Sequence, residues 1–360
     1  MAASDNSDRS STSRVTLSII VPVKDGGENF RICLQGLARA AYPAAEIIVV
    51  ADGESDGSWR MAEALGSRVV NLPETLGPAR ARNEGARIAR GDILFFIDAD
   101  VLLPQEAVCQ VEEAFNRDPR LAALFGSYDD QPEEKNFLSQ YKNLFHHYVH
   151  QGAQEEASTF WAGCGAVRSR IFQELGGFNE SYRKPCIEDI ELGYRLRKAG
   201  YRIRLFKKLQ VKHLKRWTIR NLLKSDFFDR ALPWTELILQ NRRFINDLNL
   251  RVSHRLSVLW ACLFVSTLIG GSIWKGSFGF AGLFAVLLFL INIPVYRFFL
   301  RKRGFRFMIG TIAWHWLYYF YSGLAFAIGF VRFLFSKFKP SHIALAPISK
   351  KLPETVQFTE

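Results

Sequence analysis

The sequence predicts an α/β domain followed by apolar helices toward its C-terminal end. Short β-branched runs alternate with helix-like segments from residue 16 to residue 97, which favours a parallel sheet with helices on both faces. Three runs without a charged residue follow, at 256–274, 276–296 and 307–331. A chain of 360 residues that is 48% hydrophobic is long enough for one large domain and a further part.

The predicted elements alternate strictly between strand and helix. The strands are expected at 16–23, 46–50, 68–72 and 93–97, and the helices at 30–41, 59–65 and from residue 77 onward. The strand at 93–97 consists of five consecutive apolar residues, which is typical of a strand buried on both faces. A later strand is expected at 201–206.

Carboxylates follow three of these strands at the point where each ends. They are Asp25, Asp52 and the pair Asp98 and Asp100. Ligands of open α/β sheets bind outside the carboxyl ends of the strands. Carboxylate oxygens also suit Mg²⁺ or Mn²⁺ bound to a phosphorylated ligand. Asp98 and Asp100 are therefore candidate metal ligands, and the alternative is that they only begin a turn.

Two arginines lie in the first turns of the helix that begins at Gly77-Pro78. Arg80 and Arg82 are close to the amino end of that helix, and both features favour phosphate. The alternative is an ordinary surface helix with solvated arginines.

Seven short motifs follow one another along residues 16–217. They are Ser18-Ile19-Ile20-Val21-Pro22, Asp52-Gly53 with Ser55-Asp56-Gly57-Ser58, Gly77 to Asn83, Asp98-Ala99-Asp100, Gly163-Cys164-Gly165-Ala166, Leu175-Gly176-Gly177-Phe178, and Glu188-Asp189-Ile190-Glu191-Leu192. In their order and spacing they resemble the motifs of the family 2 glycosyltransferases, specifically membrane-anchored bacterial-type members.

The resemblance implies a GT-A fold and a set of residues that bind a nucleotide-sugar donor. Asp98 and Asp100 would be the Asp-x-Asp pair, which holds Mg²⁺ or Mn²⁺ against the donor diphosphate. Pro22, Asp52 and Arg82 would complete the donor site, with Asp52 at the base and Arg82 near the base or phosphates. A UDP-sugar is the expected donor. Ala51-Asp52 stands where family members usually have two Asp residues, so the base pocket is altered.

The same resemblance makes Glu188 and Asp189 the catalytic pair. Asp189 would be the general base of an inverting transfer, because a carboxylate must take the proton of the acceptor hydroxyl. The alternative is an acidic start of a helix, where carboxylates face the positive end of the helix dipole.

His213 begins a motif with two interpretations. It lies where many GT-A enzymes have a metal-binding His, so it is a candidate metal or diphosphate ligand. The run His213-Leu214-Lys215-Arg216-Trp217 also resembles the Gln-x-x-Arg-Trp motif of processive polysaccharide synthases, with His in place of Gln.

Charge and cysteine content bear on partners and compartment. The net charge of +12 comes from basic residues that lie beside long apolar runs, which favours membrane lipids rather than nucleic acid as partner. The five cysteines are scattered and fit reduced thiols in a cytosolic domain. We expect five regions: a disordered tail at 1–14, a catalytic domain at 15–220, an amphipathic juxtamembrane segment at 221–254, two to three transmembrane helices at 255–335, and a C-terminal tail at 336–360.

Arginines around the apolar runs predict the orientation. Arg242, Arg243, Arg251 and Arg255 precede the first run, and five basic residues lie at 297–306. Both regions are expected on the cytoplasmic side of the inner membrane. Three full spans would place Arg332 outside, against this rule, unless the third run is re-entrant or interfacial.

These features predict a metal-dependent, inverting glycosyltransferase that acts on a lipid-linked or cell-envelope polysaccharide acceptor. A processive polysaccharide synthase and a catalytically silent membrane scaffold are the alternatives.

Overall fold

The computed structural model describes residues 14–41, 45–241 and 245–336. The two predicted tails lie outside these ranges except for residues 14 and 336, and so do Arg242 and Arg243.

Nine strands form one sheet in the described part of the chain. They are β1 (Leu17–Val23), β2 (Ala45–Asp52), β3 (Arg68–Leu72), β4 (Ile93–Ile97), β5 (Val101–Leu102), β6 (Leu121–Tyr128), β7 (Glu156–Ala157), β8 (Cys164–Arg168) and β9 (Arg202–His213). Their spatial order is β3-β2-β1-β4-β8-β6-β9-β5, and β7 pairs with β9.

Helices cover both faces of this sheet. They are α1 (Gly27–Ala41), α2 (Ser58–Ala64), α3 (Pro78–Ile88), α4 (Ala107–Arg117), α5 (Phe137–Gln151), α6 (Ser169–Glu174), α7 (Glu188–Lys198) and α8 (Ile219–Lys224). Alternate residues of β4 belong to opposite cores: Phe96 packs on the side of α3, whereas Phe95 packs on the side of α1 and α4. The central strand is therefore buried on both faces, as its apolar run predicts.

The sheet is mixed, and the expectation of a parallel sheet is correct only for its first half. Strands β1 to β4 are parallel, but β8 runs antiparallel to both β4 and β6. Strand β8 begins at the carboxyl edge of the sheet, where the amide of Asp98 donates to the carbonyl of Gly163, 3.2 Å away. The chain enters β8 from that edge, so β8 must run back against β4.

Strand β9 is twice as long as the predicted strand at 201–206. It has 12 residues and continues through Lys207 and Lys208, where its register with β6 shifts at an irregularity. This extension carries His213 to a position opposite Val101 of β5. Two segments more than one hundred residues apart in sequence thus meet at the carboxyl edge.

The rest of the described chain is helical. A π-helical segment (Ser225–Ala231) follows α8 directly, and α9 (Leu232–Asn241), α10 (Val252–Gly270), α11 (Ser277–Ile291) and α12 (Ile293–Ser336) come after it. Helices α10 and α12 are long and apolar enough to cross a membrane, with only 17% and 28% of their most apolar windows buried. Such exposure is unlike a core helix of a soluble protein, so these helices support membrane association.

The uncharged run at 276–296 does not form one full-length helix. Helix α11 has 15 residues, about 22 Å at 1.5 Å per residue, and it ends at Asn292. The side chain of Asn292 donates to the carbonyl of Leu288 and to Ser257 Oγ, both at 2.9 Å. Pro294 follows immediately, and proline cannot continue the hydrogen-bond ladder of a preceding helix.

Helix α12 bends at Gly304, whose φ of 81° is favoured only by glycine. On either side of this bend, α12 contacts the α/β domain. Before it, Lys302 pairs with Asp130 at 2.5 Å. After it, His315 Nδ1 lies 2.6 Å from the hydroxyl of Tyr141.

Asp226 anchors the C-terminal helices to the domain. Its buried carboxylate pairs with Lys142 of α5 at 2.5 Å and accepts a hydrogen bond from the hydroxyl of Tyr321 of α12 at 2.8 Å. The carboxylate of Asp226 therefore connects the π-helical segment, α5 and α12.

We expect Asp226→Ala to destabilise the protein by about 3 kcal/mol, because removing one partner leaves the ammonium of Lys142 buried without its counter-charge. Thermal unfolding of the full chain in detergent measures this. The control is Asp229→Ala in the same segment, whose pair with the exposed Lys224 spans 3.8 Å and is worth less than about 1 kcal/mol. Equal losses for the two variants would contradict the role of Asp226.

Candidate functional site

Asp52 shapes the loop that leads into α3. Its two carboxylate oxygens accept hydrogen bonds from the amides of Leu76, at 2.7 Å, and Gly77, at 2.9 Å. Gly77 has a φ of 95°, and a Cβ there would lie 2.4 Å from the carbonyl oxygen of Arg183. Only glycine fits, so the amino end of α3 is held in one position. The predicted contact of Asp52 with a nucleotide base stays a prediction.

Arg82 joins the two acidic motifs. Its buried guanidinium donates to Asp98 Oδ1 at 2.7 Å and to Glu188 Oε1 at 2.8 Å. Burial of the guanidinium lowers the pKa of Arg82. The negative charges of Asp98 and Glu188 raise it by more, so this pKa lies above its ordinary value. Sequence reasoning expected Arg82 near the base or phosphates, and the structure gives it this bridging position.

Asp98, Asp100 and His213 lie at the same edge of the sheet. The carboxylate of Asp98 is about one-third exposed, and Asp100 Oδ2 lies 3.5 Å from His213 Nε2. Burial favours a raised pKa for Asp100, but the charge and hydrogen bond of His213 outweigh it, so the pKa is lowered. Asp100 therefore carries its negative charge at neutral pH.

Asn143 and Tyr128 hold the ring of His213, and sequence reasoning missed both. Asn143 Oδ1 lies 2.7 Å from His213 Nδ1, and Tyr128 stacks on the imidazole with centroids 4.4 Å apart. With the amide oxygen assigned to that contact, Nδ1 carries the proton and Nε2 is directed at Asp100. Two acceptors 3.5 Å apart require a cation between them, either a proton on Nε2 or a metal ion.

The donor set fits a divalent cation shared with a phosphorylated ligand. Within residues 14–41, 45–241 and 245–336, no group of three or more His, Cys, Asp or Glu side chains could hold a metal ion alone. Mg²⁺ usually binds one or two protein carboxylates together with substrate phosphates, so a complete protein cage is not needed. Asp98 and Asp100 supply carboxylate oxygens and His213 a ring nitrogen, and these are suitable ligands for Mg²⁺ or Mn²⁺.

Glu188 and Asp189 begin α7 and differ in their surroundings. Both oxygens of Glu188 are engaged, one by Arg82 and the other by the amide of Cys186 at 2.9 Å. In the part of the chain that the structure describes, the hydrogen bonds that Asp189 accepts come from the backbone amides of Ala162 and Ile190. Burial and the charge of Glu188 raise the pKa of Asp189 to about 6, against the opposing charges of Arg230 and Arg82. Glu188 is thus held by two hydrogen bonds, whereas the pKa of Asp189 is about 6; the predicted catalytic roles of both residues stay predictions.

Arg230 reaches this site from the π-helical segment and was also missed. Partial desolvation lowers the pKa of Arg230, but the negative charges of Asp189 and Asp226 outweigh this effect and raise the pKa above its ordinary value. Its side chain is exposed, and among the described residues it forms no hydrogen bond or ion pair. The only sequence signal was its place in a segment that mixes arginines with aromatic residues.

Two other predicted residues lie beside the site without forming its centre. Pro22 is half-buried on β1, opposite Val50 of β2. Arg80 pairs with Glu84 at 2.7 Å and with Glu180, so its charge is already compensated.

Two protein families match the region that contains these residues. The family described as "Glycosyl transferase family 2" matches residues 18–176, and "N-terminal domain of galactosyltransferase" matches residues 143–218. The two matches overlap, and together they include each of the acidic motifs and His213.

Individual relatives match the chain over only part of its length and at modest sequence identity. The chain is 33% identical over 88 residues to "Uncharacterized glycosyltransferase YibD" of Escherichia coli, which is 23% of this chain and 26% of that protein. It is 25% identical over 204 residues to "Poly-beta-1,6-N-acetyl-D-glucosamine synthase" of Staphylococcus aureus, 52% of this chain and 47% of that protein. The chain thus spans about a quarter and about half of these relatives.

A solved structure shares the fold along most of the chain. It is a mannosyltransferase, PcManGT, from Pyrobaculum calidifontis in complex with GDP-Man and Mn²⁺. The TM-score is 0.52 at 16% identity, with 91% of this chain and 89% of that chain covered. Sheet order, motif order and these matches agree: the chain belongs to glycosyltransferase family 2 and has the GT-A fold.

Proposed function

We propose that this protein is an inverting, metal-dependent glycosyltransferase that moves a sugar from a nucleotide donor to a lipid-linked or cell-envelope polysaccharide acceptor. The observation that carries the proposal is the Arg82 bridge. It ties Asp98, on the metal side, to Glu188, the neighbour of Asp189. The candidate metal carboxylate and the neighbour of the candidate base are therefore linked through one guanidinium.

The donor side would consist of Asp98, Asp100 and His213. These residues would hold Mg²⁺ or Mn²⁺, which supplies charge stabilisation for the departing diphosphate. The related mannosyltransferase structure contains GDP-Man and Mn²⁺. A UDP-sugar is the donor that we expect, and a GDP-sugar is the alternative to test.

Asp189 would act on the acceptor. A general base works best when its pKa lies near the working pH, and a pKa of about 6 keeps Asp189 ionised at pH 7 while leaving it basic enough to accept a proton. Arg82 keeps Glu188 from turning toward the acceptor, so the proton of the attacking hydroxyl passes to Asp189.

The site would face the cytoplasm at the surface of the inner membrane. Helices α10 and α11 form a hairpin whose tip carries exposed residues such as Ile273 and Trp274. Helix α12 instead contacts elements next to the catalytic domain along its length. Tyr321 meets Asp226, and a Cβ at Gly329 would lie 2.9 Å from Thr235 of α9. An interfacial α12 keeps Arg332 on the cytoplasmic side, in agreement with the positive-inside rule.

A processive polysaccharide synthase is the second candidate. The relative from Staphylococcus aureus is named as such a synthase, and His213 to Trp217 resembles the motif of these enzymes. Analysis of product length separates the two, since a single added sugar excludes a processive enzyme.

The first test concerns metal and donor. We expect Asp100→Ala to weaken Mn²⁺-dependent binding of the donor nucleotide sugar by about tenfold or more, because a charged ligand of the metal is lost. Calorimetry with UDP- and GDP-sugars measures this, and chelation with EDTA should reduce wild-type binding to the level of the variant. Asp118→Ala, beside β6 at the opposite edge, is the control, since the Asp118 carboxylate pairs with Arg202 at 3.1 Å and accepts from the amide of Arg120 at 3.0 Å, away from the site. Donor binding unaffected by both EDTA and Asp100→Ala would refute the proposal.

The second test concerns the base. Asp189→Asn should lower kcat by about 10² to 10⁴ while donor binding persists, because the amide cannot accept the proton. The raised pKa of Asp189 means that the group is protonated and inactive below about pH 6 and active above it. The wild-type kcat/KM should therefore rise with pH through about 6 and then level off. Thermal unfolding of the variant checks that folding is intact, and full turnover by Asp189→Asn would exclude the assignment.

The third test concerns topology. A reporter fused after residue 336 should lie in the cytoplasm, so green fluorescent protein should fluoresce and alkaline phosphatase should stay inactive. The same reporters inserted at residues 271–276 should behave in the opposite way. An active phosphatase at the C-terminal fusion would show that α12 crosses the membrane.

A further inference from the structure

A cavity lies between the segment at 231–250 and the apolar helices α10 and α12, outside the site described above. Its volume is about 310 Å³, and its lining is mainly apolar. Residues from α9, α10 and α12 form its walls, among them Trp234, Ile238, Val258, Tyr319 and Phe326.

The exposed apolar surface around the cavity predicts that it lies at the level of the bilayer. The outer faces of the two long helices that line it are exposed and apolar, as Leu259 on α10 and Leu324 on α12 show with exposed fractions of 47% and 45%. Exposed apolar surface of this kind is covered by hydrocarbon in a membrane. A membrane lipid can therefore reach the cavity without passing through water.

The catalytic cleft adjoins the cavity through the π-helical segment. Ala231 lines the cavity, and Arg230 is the residue before it in the same segment. The Cα atoms of consecutive residues are about 3.8 Å apart. The guanidinium of Arg230 acts electrostatically on Asp189, the candidate base. Arg230 thus directly precedes a residue of the cavity wall in the chain and acts electrostatically on the candidate base.

Arg230 is available to an anion. It is exposed, and no residue in the ranges 14–41, 45–241 and 245–336 forms a hydrogen bond or an ion pair with it. The segment that presents it is held in place by Asp226, through Lys142 and Tyr321. A guanidinium in a fixed position is a good partner for phosphate, since it offers several donors in one plane.

We propose that the cavity takes one hydrocarbon chain of a phosphate-bearing lipid acceptor, with the phosphate at Arg230. The inference rests on the proposed glycosyltransferase function and names its substrate class. The small volume favours a single chain over the two chains of a bulk phospholipid. The guanidinium of Arg230, next to Ala231 in the chain, matches the anionic head, and the apolar walls match the chain.

The test is equilibrium binding of farnesyl phosphate to the full chain in detergent, with farnesol and inorganic phosphate as partial ligands. Farnesyl phosphate should bind saturably and more tightly than either partial ligand. Arg230→Gln should weaken it by about tenfold, the usual effect of losing one charged hydrogen bond, and leave farnesol binding unchanged. The control for Arg230→Gln is Arg220→Gln, which changes an exposed arginine of α8.

A second pair of variants tests the cavity. Ala231→Phe places a ring in the cavity and should weaken both farnesyl phosphate and farnesol. Ala327→Phe makes the same change on the exposed side of α12 and should weaken neither. Thermal unfolding of all four variants separates lost binding from lost folding, and Arg230→Gln alone still tests the head-group site if Ala231→Phe does not fold.

Three outcomes would overturn the inference. They are unchanged binding by Arg230→Gln, unchanged binding by a folded Ala231→Phe, and equal competition by dioleoyl phosphatidic acid, which would indicate a general phospholipid site. The binding assay contains no nucleotide sugar, so it is independent of turnover. Lipid binding without sugar transfer would refute the proposed function instead, and transfer to a soluble acceptor without lipid binding would refute only this inference.

Discussion

The guanidinium of Arg82 is the interaction on which the cleft depends. It is buried, and it satisfies one carboxylate from each of two motifs that are far apart in the sequence. Removing one partner of such a pair leaves a buried charge without compensation, at a cost of about 3 to 5 kcal/mol. The ring of Phe178 lies 5.5 Å from the guanidinium, and Asn83 holds the backbone of Phe178 through two hydrogen bonds. The two acidic motifs of the candidate site are thus joined through one side chain.

The distribution of charge around Arg82 explains why Asp189 differs from its neighbours. Arg82 engages Asp98 and Glu188 directly, whereas Asp189 has only backbone donors and the more distant charges of Arg82 and Arg230. Burial then dominates and raises the pKa of Asp189 to about 6. A buried carboxyl group whose surroundings disfavour its charge lowers the free energy of unfolding. Functional sites commonly carry such a cost.

The C-terminal helices do more than attach the domain to a lipid surface. Asp226 connects α5 and α12, while Arg303 donates to Gln140 Oε1 at 2.6 Å and holds the bend of α12 against the domain. These polar contacts fix the π-helical segment beside α7. The position of Arg230 relative to Asp189 is therefore a consequence of how the apolar helices dock.

The sequence by itself determined the family, the first four strands and the position of Asp98 and Asp100 at the end of β4. These follow from short-range patterns, since an apolar run ended by carboxylates specifies a buried strand and its edge. The tertiary structure decided the antiparallel direction of β8 and the break at Asn292. It also decided the contacts of Arg82 and His213 and the position of Arg230. Arg82 and Glu188 are 106 residues apart, and His213 meets Asp100 only because β9 pairs with β5. Such contacts depend on how distant elements pack, which no local pattern encodes.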